Sequence, residues 1–291
     1  MGNLTGTIRM DSMQSGFFNY KGNIPIHYKT GGRGPEPVLF LHGFASSHTT
    51  WTDMVGLFPA DRFRIFLVDL KGFGLSARPR DGAYSIEDQA AMVRAFIKEQ
   101  EFSGITLAGH SMGGLIALLI CMEATGCTET PAVNKAILID SAAYPQKLPK
   151  FFRRLKSPLL GPLLLHLIPT RLQVKDTIRK VFSDTESITP ERIERYNHYF
   201  SDKGTPYVLR ATVRSIDPDA YAGIAEEYRK ITVPTLIIWG KEDRVVKLKT
   251  GLRLHGDLAG SQLKVIDHCG HNPHEECPTE TFSAIESFLS S

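Results

Sequence analysis

Cysteine is scarce: Cys121, Cys127, Cys269 and Cys277 are the four in 291 residues. Their spacing fits neither a metal site nor a redox motif, so they read as free thiols of a reducing compartment. Charge of one sign is not in excess either. Thirty-four Lys and Arg face 31 Asp and Glu, a net +3, which argues against nucleic acid as a partner. Long hydrophobic runs are missing. The most apolar stretch outside the core pattern, residues 158–169, is too short and too broken by proline to span a bilayer. Residues 1–20 lack the charged-then-apolar order of a secretory signal. No internal repeat or low-complexity tract is visible. These absences lead to the expectation of a soluble, cytoplasmic protein without stable membrane insertion. At 42% hydrophobic residues, the chain can bury one large α/β domain or two smaller ones.

What is present is alternation. Apolar, β-branched runs at 38–41, 63–69, 105–108, 135–140, 235–239 and 262–266 predict strands. A hairpin turning on Lys21-Gly22-Asn23 precedes them, with strands at 17–20 and 24–28. Helices are expected around 50–58, from a Ser85 cap to about Glu101, after Gly113, and over about 279–289. Near-continuous apolar strands alternating with helices predict an α/β fold whose mainly parallel sheet is covered on both faces.

Residues 144–218 interrupt this pattern with helical periodicity and no strand. The clearest helix runs over 189–200, where Thr189 caps the first turn and Pro190 suits its first position. This segment has 14 Lys and Arg against 7 Asp and Glu, a local +7 that leaves −4 elsewhere. Placed after a strand end, it reads as a lid rather than a peripheral decoration. Its charge is read as a solvated helical face. The same charge would attract an anionic substrate or a membrane surface, so transient lipid-surface contact stays open.

The chemistry centres on Gly109-His110-Ser111-Met112-Gly113, between the apolar run Ile105-Thr106-Leu107-Ala108 and the helical stretch from Gly114. A serine on a sharp strand-to-helix turn, flanked by glycines that relieve Cβ crowding, is the geometry of a nucleophile elbow. A serine hydroxyl needs a base. Of ten histidines, His271 follows the last strand in Cys269-Gly270-His271-Asn272-Pro273, where Gly270 and Pro273 shape a presenting loop. His268 and His274 read as turn or capping residues, and His110 as packing. The orienting carboxylate is expected at a strand end ahead of the histidine. Asp243 is chosen, in Gly240-Lys241-Glu242-Asp243, with Asp140 as the alternate. Two backbone N–H groups must form the oxyanion hole: Met112 supplies one and Phe44, in His42-Gly43-Phe44, the other. The Phe44 ring would wall the acyl pocket.

Taken together these segments resemble the α/β-hydrolase fold family, in its serine esterase and lipase-like branch. The matching elements are His42-Gly43-Phe44, the run from Asp69 to Ser76, Gly109 to Gly114, Trp239 to Asp243, and Gly270-His271 ahead of Glu276-Cys277-Pro278. They keep the family's order over residues 17–289, the insertion excepted. The resemblance implies an eight-stranded, mainly parallel sheet flanked by helices, formed by residues 1–143 and 219–291, with a helical cap inserted at 144–218. It implies a Ser111–His271–Asp243 triad and no metal or organic cofactor. Asp69 and Glu276 match positions that serve structure in the family.

Serine at the elbow argues against epoxide and halide chemistry, which uses a carboxylate nucleophile. His110, and Gly43-Phe44-Ala45-Ser46-Ser47, depart from the pattern of carbon–carbon bond hydrolases and shift weight to esters. The expected activity is hydrolysis of a small-molecule ester through an acyl-enzyme. Alternatives are a carbon–carbon hydrolase, a perhydrolase, or a hydrolase-like receptor with little turnover. Phe44 and Met112 are expected at the substrate, joined by Leu159 and Leu163 from the apolar insertion.

Overall fold

Lys21 and Gly22 both adopt positive φ, 50° and 78°. They turn β1 (Gln14–Tyr20) back onto β2 (Ile24–Gly31), the backbone hand that tight hairpins require. The computed structural model describes residues 6–102, 104–124, 133–146 and 150–291. Six further strands follow: β3 (Glu36–Leu41), β4 (Phe63–Val68), β5 (Ile105–His110), β6 (Val133–Ile139), β7 (Thr235–Gly240) and β8 (Gln262–Ile266). They form one eight-stranded sheet in the order β1-β2-β4-β3-β5-β6-β7-β8. Only the β1–β2 and β2–β4 pairs are antiparallel; from β4 to β8 the neighbours run parallel. The sheet is the one the strand pattern predicts.

Parallel strands are buried on both faces, and Val38 to Leu41 in β3 are fully so. On one face lie α2 (Ile86–Glu99) and α3 (Met112–Ala124), with Phe96 and Ile116 in the shared core. On the other, α1 (Thr52–Val55) brings Met54 and Val55 against Phe40 and Phe63. Helix α2 begins in a full capping box, Ser85 and Asp88 each satisfying the other's backbone N–H. The helix expected over 50–58 is shorter: a 3-10 turn at His48–Trp51, then the single turn of α1, stopped at Gly56.

Between β6 and β7 the described chain contains no strand; its α-helices are joined by loops and, before the last of them, by a 3-10 turn at Pro218–Tyr221. The helices are α4 (Lys150–Lys156), α5 (Leu160–Leu167), α6 (Thr170–Val181), α7 (Pro190–Phe200), α8 (Thr205–Ser215) and α9 (Ile224–Tyr228). Thr189 caps α7 with Pro190 in its first turn, as the sequence predicts. Helices α6 and α7 share a small core of Val174, Ile178, Phe182 and Ile193. The chain closes with α10 (Leu248–Asp257), α11 (Pro273–Glu276) and α12 (Pro278–Ser290), the last adding Ile285 and Phe288 to the α1 face. No helix among the described residues is long and apolar enough to cross a membrane.

Candidate active site

Strand β5 ends at His110 and α3 starts at Met112, so Ser111 alone makes the turn. Its φ of 52° lies in the left-handed region, a strain of about 1–3 kcal/mol for a residue with a Cβ. The surroundings over-determine it. Ser111 N–H donates to Ile139 O at 3.0 Å, and Ser111 O accepts from Ala142 N at 3.1 Å. The flanking glycines are required by space: a Cβ on Gly109 would meet Gly113 O at 2.3 Å, and one on Gly113 would meet Leu41 O at 2.2 Å.

His271 Nε2 stands 3.0 Å from Ser111 Oγ, and His271 Nδ1 stands 2.7 Å from Asp243 Oδ2. The other oxygen of Asp243 accepts the N–H groups of Val245 (2.7 Å) and Val246 (3.0 Å). Burial opposes charge on Asp243, but His271 and these hydrogen bonds outweigh it and hold the carboxyl below its usual range. The three residues therefore form one line along which a proton can leave the serine and the resulting imidazolium can be stabilised.

Asp140 sits behind this line, fully buried, at φ 43°. Its two oxygens accept from Gly240 N at 3.1 and 3.3 Å. Burial, reinforced by the charge of Asp243, pushes its carboxyl well above the ordinary range. Of the two carboxyls considered from sequence, Asp243 makes the bond to His271 and Asp140 abuts Asp243.

The histidine loop is clamped from three sides. Glu276 accepts from Gly270 N (3.0 Å), Asn272 N (3.1 Å) and, across the insertion, Ser183 N (2.7 Å). His271 N–H donates to Val181 O at the end of α6, at 2.8 Å. His110 Nε2–H donates to His271 O at 2.8 Å. His110 is thus more than the packing residue expected from sequence: it tethers the loop that carries His271. Burial and the neighbouring His271 push its imidazole down to about 3, keeping it a neutral donor. Sequence reasoning also missed Tyr196 on α7, whose hydroxyl donates to Glu275 at 2.5 Å and accepts from Asn272 Nδ2 at 3.2 Å. A tyrosine at helical spacing inside the insertion carries no signal of such a role.

Phe44 and Met112 both line the space at Ser111. Ala45, at φ 57°, turns the loop after Phe44. His42 fixes its start, with Nδ1–H donating to Gly43 O (2.7 Å) and Nε2 accepting Leu70 N–H (3.0 Å). Gly43 lets the loop close on the serine, since a Cβ there would meet His110 Nδ1 at 2.9 Å and Ser111 Cβ at 3.2 Å. Among the described residues neither Phe44 N nor Met112 N donates to another turn or loop.

Two apolar cavities meet at Ser111. One, of about 140 Å³, runs past Ile86, Met112, Leu115, Thr212, Ile216 and Tyr221. The other, of about 130 Å³, runs past Val174, Ile178, Tyr196, His271 and Asn272. Phe44, Phe152 and Val245 border both. Among the described residues no lysine or arginine lines either; Asp217 lines the first. Leu159 and Leu163 line neither. They are 82% and 52% exposed, which corrects their expected place at the substrate. Leu160, Leu163 and Leu167 share the outward face of α5 at helical spacing, while Leu165 packs inward against the core. The insertion meets the cavities instead through Phe152, Val174, Ile178 and Thr212.

A second buried carboxylate, Asp69, accepts from His27 Nδ1 (2.7 Å), His48 Nδ1 (2.9 Å), His48 N (2.7 Å) and Leu75 N (3.0 Å). Burial opposes its charge, but the His27 and His48 hydrogen bonds prevail and hold it below the usual range. His27, His48 and Asp69, like Asp140, Asp243 and His271, bring ligand-type atoms within 4.8 Å of one another. In both groups these atoms are engaged in hydrogen bonds, and neither needs an ion to account for its geometry.

The comparisons agree with this architecture. The family model for the alpha/beta hydrolase fold matches residues 36–278. A 2-hydroxy-6-oxo-6-(2'-aminophenyl)hexa-2,4-dienoic acid hydrolase of Metapseudomonas resinovorans is 28% identical, over 92% of this chain and 89% of its own. The monoacylglycerol lipase abhd6-B of Xenopus laevis is 27% identical, over 96% and 83%. The crystal structure of a serine hydrolase involved in carbazole degradation (CarC enzyme) superposes with a TM-score of 0.78 at 26% identity, covering 96% of this chain and 99% of that one. With the sheet order, the elbow and the family match in agreement, the chain belongs to the α/β-hydrolase fold family.

Proposed function

We propose that the protein is a serine carboxylester hydrolase acting on neutral, apolar esters of small to medium acyl chains through an acyl-enzyme. The observation that carries this reading is the lining of the two cavities: mainly apolar on both sides of Ser111, with no lysine or arginine among the described residues. In the mechanism, His271 takes the proton of Ser111 as Oγ attacks the carbonyl carbon, and Asp243 stabilises the imidazolium. The N–H groups of Phe44 and Met112 receive the developing oxyanion, each worth about 3–4 kcal/mol in the transition state. His271 then returns its proton to the leaving alcohol, so the alcohol occupies the cavity that His271 lines and the acyl chain the one beside Met112 and Leu115. Water, deprotonated by His271, releases the acid and restores Ser111. The α4–α8 helices act as the cap, with Phe152 between the two arms of the substrate.

The second reading is carbon–carbon bond hydrolysis, favoured by the relative named for a dienoic acid. A carboxylate from such an acid would enter these cavities without a described cation to meet it, and burying an unpaired charge is costly. The test is fluorophosphonate labelling followed by a panel of p-nitrophenyl esters, comparing wild type with Ser111→Ala. Labelling at Ser111 and ester turnover that falls at least about 10⁴-fold in the variant is the expected result. Cleavage of a vinylogous diketone without ester turnover would replace the proposal. So would ligand binding with negligible turnover that Ser111→Ala leaves unchanged.

A further inference from the structure

Helices α5 and α6 turn an unusual surface to solvent. Leu160, Leu163 and Leu167, at i, i+3 and i+7, are exposed along one face of α5, and Leu159, Ile168 and Leu172 continue the strip. Leu159 is 82% exposed and Leu167 70%. A contiguous apolar strip of this kind marks a surface that meets something other than water. On α6, which follows α5 directly in the chain, Arg171, Lys175 and Arg179 recur at i, i+4 and i+8 and are exposed. Arg153 and Arg154 on α4 are exposed as well. None of these five cations has an acidic partner among the described residues, whereas Lys180 is paired with Asp176. From 150 to 182 the sequence holds eight Lys and Arg and a single acidic residue, Asp176. Most of the positive excess of the insertion is therefore concentrated where the leucines are exposed.

We infer that the outer face of α5 and α6 docks on an anionic lipid bilayer, the leucines entering the headgroup boundary and the cations meeting the lipid phosphates. A polar face rich in Lys and Arg beside exposed leucines is the composition of helices that lie in a membrane interface. The occupant follows from charge complementarity: unpaired cations around an apolar strip match a surface that is negative outside and apolar beneath. A neutral protein groove would leave the cations unmet. The docking face also connects to the site. Helix α6 carries Val174 and Ile178 on its inner side, where they line the cavity containing His271, and its Val181 O holds His271 N–H. A membrane-bound α6 thus places that cavity one helix thickness from a source of apolar ester. This last link rests on the proposed function; the docking itself does not.

The test is co-sedimentation of the full chain with vesicles of phosphatidylcholine alone or with 30% phosphatidylglycerol, at about 0.05 and 0.5 M salt. Two variants are compared, Arg171→Glu/Lys175→Glu/Arg179→Glu and Leu167→Asp/Leu172→Asp. Circular dichroism and turnover of a water-soluble ester report that each is folded. Anionic vesicles are expected to bind wild type at least tenfold more tightly than neutral ones, with high salt removing most of the preference. The charge variant should lose roughly 100-fold, and the leucine variant at least tenfold. Three results would overturn the inference. One is absence of binding to anionic vesicles. Another is binding that both variants retain. The third is a concentration-dependent dimer, dispersed by Leu167→Asp, in a chain that ignores vesicles. Because binding is read by sedimentation, its failure leaves ester hydrolysis standing, and an inactive protein that binds vesicles leaves the docking face standing.

Discussion

Asp140 and Asp243 lie against each other behind His271 with opposite tendencies to ionise. Burial and the Asp243 charge push Asp140 up, while Asp243 is held down, against burial, by His271 and its hydrogen bonds. The two carboxyls are thus pulled apart in their titration, and the one held low is the one that faces the imidazole. Asp140 also takes the N–H of Gly240, the last residue of β7, and so fixes the strand end from which Asp243 projects.

Replacing each member separates their roles. Asp243→Asn removes the charge that stabilises the imidazolium and should lower kcat about 10³–10⁴-fold. Asp140→Asn keeps an N–H donor towards Asp243 and an acceptor for Gly240 N, and asparagine tolerates the positive φ. It should stay within about tenfold of wild type, while Asp140→Ala strands Gly240 N–H and loses about 1–3 kcal/mol of stability. Steady-state kinetics and urea unfolding read both. If the double variant Asp140→Asn/Asp243→Asn is no slower than Asp243→Asn, Asp140 does not serve as a reserve carboxylate.

The two cavities predict separable specificities. Ile216→Trp narrows the cavity beside Met112 and should reduce kcat/KM for hexanoyl esters at least tenfold while sparing acetyl esters of the same alcohol. Ile178→Trp narrows the cavity beside His271 and should instead discriminate against bulky alcohols at constant acyl chain. A panel varying one arm at a time checks this. Swapped outcomes would reverse the assignment of the arms.

Glu276 ties Gly270, Asn272 and Ser183 to one carboxylate, joining the histidine loop to the end of α6. Glu276→Gln, with its oxygen kept towards Gly270 and Ser183, weakens those two charge-assisted bonds and puts an N–H donor against the N–H of Asn272. We expect kcat to fall about 10–100-fold with KM little changed, since His271 loses its placement while the cavities remain. A change confined to KM would count against a positioning role.

How much of this was legible in the chain follows from which interactions are local. The sheet is readable because the C-terminal halves of β3 to β7 are buried on both faces and so must be apolar, as in Val38 to Leu41. The turn at Ser111 is legible because its tightness demands glycine at 109 and 113, and the meeting of Asp243 with His271 because strand-end loops face one edge. The contacts of the insertion are not. Leu159 and Leu163 looked like pocket residues because apolar side chains are expected to be buried, yet the inward face of α5 is supplied by Leu165. Which helix face turns inward is set by partners such as α8, more than forty residues away in sequence, and local periodicity cannot supply that. The role of His110 escapes the sequence for the same reason. Its partner, the carbonyl of His271, is 161 positions distant.

Three buried histidines give folding stability a defined dependence on pH. Burial pushes His42 down to about 4 and His110 down to about 3, and His274 well below its ordinary value. In the unfolded chain each titrates near about 6.5. Above that pH neither state is protonated and these groups contribute no slope. As pH falls below it, the unfolded chain takes up protons that the folded protein refuses, so stability is lost on acidification. Asp140 and Glu275 act in the opposite sense: both are raised by burial, and the folded state retains protons that the unfolded chain has released above about pH 4. Three groups against two leave a net uptake of about one proton on unfolding, or about 1.4 kcal/mol per pH unit between pH 6 and 4.5. Urea midpoints measured from pH 6 to 4.5 should fall on acidification, and His110→Gln should flatten the fall by about one proton. A midpoint that rises on acidification through this window would mean that the raised carboxyls, not the histidines, set the balance in the core.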